Sequence, residues 1–169
     1  IVTDPAGNES EPSDPYIVIV DTTAPGKPGA GTGGIEEAID NVGPIIGDIG
    51  NGGVTDDGTP TFGGGGLEPG DTVTIIDDGV EIGKVVVGED GRWEFTPDPA
   101  LIDGPHPITV IVTDPAGNES EPSDPYIIIV DTTAPIAPTI DAVFDDQGTS
   151  TGNINPGDIT DDAQPDISG

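Results

Sequence analysis

IVTDPAGNESEPSDPYIVIVDTTAP (residues 1–25) returns as IVTDPAGNESEPSDPYIIIVDTTAP (residues 111–135), with Val18 against Ile128 as the one difference. Copies that start at Ile1 and Ile111 set a period near 110 residues. That is the size of one small domain, not of a solenoid turn of about 20–50 residues. The chain therefore reads as part of a tandem array. Residues 1–25 are the C-terminal part (strands F–G) of one repeat, 26–135 a complete repeat, and 136–169 the N-terminal part (strands A–B) of the next. Within the copied stretch, Ile1–Thr3 reads as the end of a strand. Asp4–Asp14 is a loop rich in Pro, Gly, Asn and Glu, and Tyr16–Val20 a β-branched strand. Pro25 and Pro28 cannot donate to a ladder, so an extended linker begins there.

Outward from this stretch the pattern stays β. Residues 26–38 hold a first strand weakly specified by its glycines, and Asp40–Asp57 reads as irregular. Thr59–Gly65 is a strand. Thr72–Asp77 and Val80–Val87 alternate on either side of Asp78-Gly79, a strong two-residue hairpin signal. Asp90-Gly91 turns the chain into Arg92–Phe95, which puts Trp93 and Phe95 on one face as core and two charges on the other. His106–Thr113 alternates again, and His106, between two prolines, reads as an exposed strand residue. About seven short strands, frequent turns and no helical period give an all-β chain of tandem immunoglobulin-like antiparallel sandwiches. In the last segment Thr160–Pro165 parallels Thr55–Pro60, and Ile140-Asp141 parallels Ile39-Asp40. That pairing leaves 16 positions from Asp40 to Asp56 but 20 from Asp141 to Asp161, a tolerable loop difference. Segments 1–25 and 136–169 each carry too few strands to close a sandwich, so in isolation both should fray.

Composition narrows the chemistry. The formal charge is −30, from 33 acids against Lys27, Lys84 and Arg92. Nucleic acid and anionic membrane are poor partners for it, because both demand clustered bases. There is no Cys, so neither disulfides nor thiol chemistry are available. No apolar run approaches the length of a membrane span. Many acids sit in pairs at turns, including Asp56-Asp57, Asp77-Asp78, Asp145-Asp146 and Asp161-Asp162. Two carboxylates about 4 Å apart repel by roughly 1 kcal/mol in water. Such pairs either bond their own backbone or collect a cation.

The pieces TDPAGN (3–8 and 113–118), DTTAP (21–25 and 131–135), GGVTDDGTPTFGG (52–64), EPGDTV (68–73) and DGRWEFTP (90–97) occur in an order that resembles the bacterial immunoglobulin-like repeats of giant secreted RTX-type adhesins and biofilm-associated proteins. The resemblance covers nearly the whole chain. It implies an extracellular module on the bacterial cell surface, commonly exported by a type I system and often stiffened by calcium near domain junctions.

Sandwich topology sorts the acids. At one pole Asp40, Asp56 and Asp57 should gather with Asp77, Asp78 and Asp131. At the other, Asp21 should meet Asp114, Asn118 and Glu119, with Glu68 and Asp71 nearby. Asp141, Asp161 and Asp162 form the corresponding set of the next repeat. Calcium takes six to eight oxygens at flexible spacing, which such clusters and their carbonyls can supply. The competing reading makes these residues turn formers, and it is preferred for Asp78 and Asp90. No nucleophile–base set appears, so an enzyme is not expected. What remains is a structural extender of an adhesin or biofilm filament, its partners being neighbouring repeats of the same chain and like chains laterally. The alternative is a module that itself binds a glycan or a partner-cell protein. Near identity of the copies favours the extender.

Overall fold

The computed structural model describes residues 1–149 and 151–169. They fall into two compact units, Ile1–Thr132 and Thr133–Gly169.

The first unit is a two-sheet sandwich. One sheet holds β1 (Glu37–Asp40), β2 (Gly47–Asp48), β4 (Thr61–Gly65) and β7 (Arg92–Phe95) in the order β2-β1-β4-β7. The other holds β3 (Gly53–Thr55), β5 (Thr72–Asp77), β6 (Val80–Val86), β8 (Gly104–Thr113) and β9 (Tyr126–Val130) in the order β3-β9-β8-β5-β6. All pairings are antiparallel except β3 with β9, where Gly53–Thr55 run parallel to Ile128–Val130. The period-2 alternation places one face of each strand inside. Val73 and Ile75 of β5, Ile108, Val110 and Val112 of β8, and Ile128 and Val130 of β9 are buried against Phe62 and Trp93 of the opposite sheet. At Asp78-Gly79 both residues have positive φ, 44° and 82°, which closes the β5–β6 hairpin without splaying its strands.

Three strand assignments change. β2 and β3 lie inside the stretch read as irregular, because a two- or three-residue strand has too few positions to show a period. Tyr16–Val20 forms no strand. All five residues are at least 68% exposed, since a strand exists only where a ladder partner stands beside it, and none does. His106 is buried. Its Nδ1 lies 2.7 Å from Asp77 Oδ2, and its Nε2 lies 2.7 Å from the Ile102 carbonyl. Tyr126 is half-buried and donates to the Ile49 carbonyl at 2.6 Å. Its counterpart Tyr16 is exposed.

The loop of the copied stretch folds the same way twice. Thr3 bridges Glu9 as Thr113 bridges Glu119. Val2 N–H donates to Ser10 Oγ at 2.9 Å, and Val112 N–H to Ser120 Oγ at 3.0 Å. The first copy does this without a sheet, so the loop is encoded locally.

The second unit contains β10 (Ala142–Asp145), β11 (Gly152–Asn153) and β12 (Asp166–Ser168), in the order β11-β10-β12. Its register repeats that of β2-β1-β4 at an offset of 105: Ile39 pairs Asp48 and Phe144 pairs Asn153, while Glu37 pairs Gly63 and Ala142 pairs Ser168. Asp40 therefore corresponds to Asp145, and Asp141 to Glu36, which corrects the sequence pairing of Asp141 with Asp40. Asp141 N–H donates to the Ser168 carbonyl as Glu36 N–H donates to that of Gly63. The length difference lies earlier, in residues 26–33 against 136–138.

One glycine shows why these strands are glycine-rich. A Cβ on Gly64 would collide with the Gly34 carbonyl and stand 2.9 Å from Trp93 Nε1. A Cβ on Gly169 would collide with the Thr139 carbonyl, at the same offset. The linker backbone lies directly on this strand, and no side chain fits between. Gly64→Ala should cost about 1–3 kcal/mol, the range for overpacking a well-filled interior. Urea denaturation followed by Trp93 fluorescence measures it, and an unchanged midpoint would contradict the close approach.

Candidate functional site

The sequence-selected acids separate into two groups with different chemistry. The first is internal. Asp57 has no exposed surface and accepts the N–H of Asn41 at 3.1 Å, the N–H of Thr59 at 2.7 Å and the Thr59 hydroxyl at 3.0 Å. Asp40, 7% exposed, accepts the Val42 N–H at 2.8 Å and the Thr55 hydroxyl at 2.6 Å. Thr55 Oγ1 in turn accepts the Asp57 N–H at 3.0 Å, so one buried hydroxyl links the Asp40 carboxylate to the Asp57 backbone. Both acids thus hold the long β1–β4 connection in place.

The same network recurs in the second unit. Thr160 donates to Asp145 at 2.6 Å, Asp162 N–H to Thr160 at 2.9 Å, and Gln164 N–H to Asp162 at 2.8 Å. Asp145, left out of the expected ligand set, fills the place of Asp40, and Asp162 that of Asp57. Asp56 and Asp161 flank these networks rather than completing them. Asp141 accepts from the Thr139 hydroxyl at 3.1 Å. Asp77 turns to His106, and Asp131 meets Thr55 through its N–H, 2.9 Å from the carbonyl. The expected convergence of these acids on a single point at this pole is thus replaced by separate pairings.

The second group lies at the opposite pole, where the loops after β4, β6 and β8 meet. Asp114 accepts the N–H groups of Ala116 and Asn118 at 2.9 Å and the Asn118 side-chain amide at 2.8 Å. That amide and the Asn118 N–H hold the Asp114 carboxyl below its ordinary value of 3.8. Asp4, in the first copy, is lowered by Asn8 in the same way. Asn118 also reaches across the linker: its Nδ2 donates to the Asp21 carbonyl at 3.3 Å. Asp21 Oδ1 accepts the Thr23 N–H at 3.0 Å. Glu119 is exposed and bridges Thr113 through its backbone.

Asp71, beside them, was not in the expected ligand set. It is 5% exposed. Burial pushes its carboxyl up from the ordinary 3.8, and the like charges of Asp114 and Glu68 push it further. Topology placed it near Asp114, but not its burial, because a buried carboxylate facing other acids is a product of three loops meeting. Among the described residues, no three His, Asp or Glu side chains already stand in a metal-holding arrangement. What this pole offers is an all-oxygen donor set with one under-neutralised buried carboxylate.

Residues 43–132, just over half of the chain, match the bacterial Ig-like domain. The chain belongs to that family. Bacterial Ig-like domains are a non-catalytic fold type, typically extracellular or surface-exposed. Comparison with curated proteins gave no match. No helix among the described residues of this Ig-like chain is long and apolar enough to cross a membrane.

Two outcomes follow for this Ig-like sandwich. Thr55→Val removes the hydroxyl shared by Asp40 and Asp57 and leaves a buried acceptor and donor unpaired. It should cost about 1–3 kcal/mol in urea denaturation, and a neutral result would contradict the network. Asp71 acts in the other direction. A carboxyl whose folded value is raised holds its proton more tightly when folded, so stability falls as pH climbs from 3.8 through the raised value and stays lower above it. Asp71→Asn should therefore raise Tm at pH 7 in chelator by on the order of a few °C. The advantage should fade as pH falls below 3.8. A Tm that drops at pH 7 would overturn this account.

Proposed function

We propose that the chain is an extender segment of a long bacterial surface adhesin or biofilm matrix protein, built of tandem Ig-like domains held stiff by calcium near their junctions. The observation that carries this reading is the contact of Asn118 with the Asp21 carbonyl, at the pole where Asp71, Glu68 and Asp114 face one another. There the linker from the first copied stretch meets the loops of the sandwich. Every group offered is a hard oxygen, the kind calcium prefers. Asp21, Asp114, Asp71 and Glu68 would hold the ion, with the side-chain oxygen of Asn118 available once its amide releases Asp21. Bound calcium would neutralise the acids that now oppose each other and tie the preceding segment to the sandwich.

Direct contacts alone are too weak for that task. Lys27 and Asp124 pair across the same linker at 2.7 Å, but both are exposed. An exposed pair contributes about 0–1 kcal/mol and is screened by salt. The internal acids Asp40, Asp57, Asp145 and Asp162 are buried and accept the donors around them. Asp114 accepts three donors too and would exchange some of them for the ion, but it stands beside Asp71, whose carboxyl is raised by burial and by like charge.

Calorimetric titration and small-angle scattering of the 169-residue chain test the reading. Calcium should bind at roughly 10⁻⁴–10⁻³ M, the usual range for extracellular modules. Saturation should raise Tm and shrink the radius of gyration, and Asp71→Asn should remove most of both effects. No binding heat at millimolar calcium, with superimposable scattering profiles, would remove calcium from the proposal.

A further inference from the structure

The outer face of the five-stranded sheet is almost free of charge, in a chain whose formal charge is −30. Antiparallel strands with one face in water normally alternate apolar-in and polar-out. Here the outward positions carry Val54, Ile76, Val86, Ile111, Ile127 and Ile129, interleaved with the threonines of β5 and β8. Register fixes this face. Ile129 pairs Val54 and Pro105, Ile76 pairs Thr109 and Glu81, and Thr74 pairs Ile111 and Lys84. Val54 and Val86 are 66% and 64% exposed, Ile127 and Ile129 39% and 36%. The two charged side chains on the face, Glu81 and Lys84, pair at 3.3 Å and cancel. The outer face of the other sheet, by contrast, carries Glu37, Arg92 and Glu94.

We propose that this face is where a second copy of the chain docks, sheet against sheet. Two copies at this charge repel wherever acid-bearing surfaces approach, and this face lets them come into contact without opposing carboxylates. The same charge argument disfavours other occupants. A cationic partner is drawn to the acid-rich loops instead, and an acidic one gains nothing here over a like chain. Size sets the strength. Strands about 4.8 Å apart and about 3.4 Å per residue make this face roughly 20 Å by 20 Å, or about 400 Å². A stable interface takes about 800 Å² per partner, so one sandwich associates weakly. Ile1, Thr3, Ile17 and Ile19 of the first copied stretch, which forms no sheet here, match the outward Ile111, Thr113, Ile127 and Ile129 in sequence. In a completed repeat the same face would recur with the stretch, and weak contacts in register along two chains would multiply into avidity. The inference rests on the tandem reading for its avidity only, not for the contact itself.

Sedimentation equilibrium of the 169-residue chain in EDTA, at about 0.05 M and about 0.5 M NaCl, tests the contact apart from any calcium effect. A weak reversible dimer that tightens with salt is expected. Ile127→Glu and Thr109→Glu place carboxylates on the face and should weaken association by about ten-fold or more. Thr96→Glu, at the edge of the other sheet, should leave it unchanged. Trp93 fluorescence reports whether each variant is folded. If a variant unfolds, the salt dependence of the unaltered chain decides, because association that weakens with salt is ionic and overturns the proposal. So does a monomer under every condition, or a dimer that survives both face substitutions. Binding of a neutral glycan by a strictly monomeric chain, lost on Ile127→Glu, would reassign the face to that ligand.

Discussion

Asp57 has no exposed surface, and a carboxylate in that position survives only because two N–H groups and a hydroxyl converge on it. An ionised carboxylate without such partners would cost several kcal/mol in the interior. This requirement fixes the path of the chain around it. Asn41, Thr55 and Thr59 must bring their donors to one point. That point locks the long connection between β1 and β4, sets the start of β4, and delivers β3 to the edge of the opposite sheet. From there Thr55 meets Asp131 through its carbonyl, so the same node also positions the end of β9. The recurrence of the network around Asp145, Thr160 and Asp162 in the far smaller second unit shows that it needs no complete sandwich around it.

The acids of this chain therefore do two opposite things. Those with donors around them act as structural elements, in the role that Asp and Asn play in many turns. Those at the other pole face each other, and Asp71 bears the consequence in its raised carboxyl. A cysteine-free chain with three bases has few other ways to balance these acids. Counting aspartates cannot separate the two groups. Asp57 and Asp114 look equivalent in sequence, each in a loop with a Gly nearby, and each accepts three donors, yet Asp57 is sealed in the interior while Asp114 also borders the like charge of Asp71.

That contrast marks how far the residues alone could be read. Period-2 alternation, the Asp78-Gly79 turn and the placing of Trp93 inside are local properties, and the sandwich follows from them. The loop of the copied stretch is local too, since Asp4 and Asp114 make the same bonds with and without a sheet beside them. Pairing is not local. Tyr16–Val20 and Tyr126–Val130 differ by one methylene, and only the second is a strand, because only there do β8 and β3 supply partners. His106 has an exposed-looking context, flanked by prolines, but the β7–β8 connection folds Ile102 over it while β5 presents Asp77. Asp141 does not correspond to Asp40 for a related reason. Matching Ile-Asp to Ile-Asp ignores which backbone groups pair, whereas the bond to the Ser168 carbonyl identifies Asp141 with Glu36.

The corrected alignment bears on what can hold neighbouring segments together. The two copied stretches are the same at every residue but one, yet residues 26–33 follow the first and only 136–138 follow the second before the equivalent positions Gly34 and Thr139. Lys27 and the glycine-rich turn belong to the longer linker and have no counterpart in the shorter one. A device that served every junction could not depend on them, and the Lys27–Asp124 pair is accordingly exposed and weak. The shared part is the copied stretch itself, with its Asx-bonded Asp-Asn loop and its DTTAP exit. The Asn118 amide to Asp21 carbonyl contact uses one element from each of those motifs. Under the tandem reading proposed above, linker length could then vary from junction to junction while the same contact joined one segment to the next.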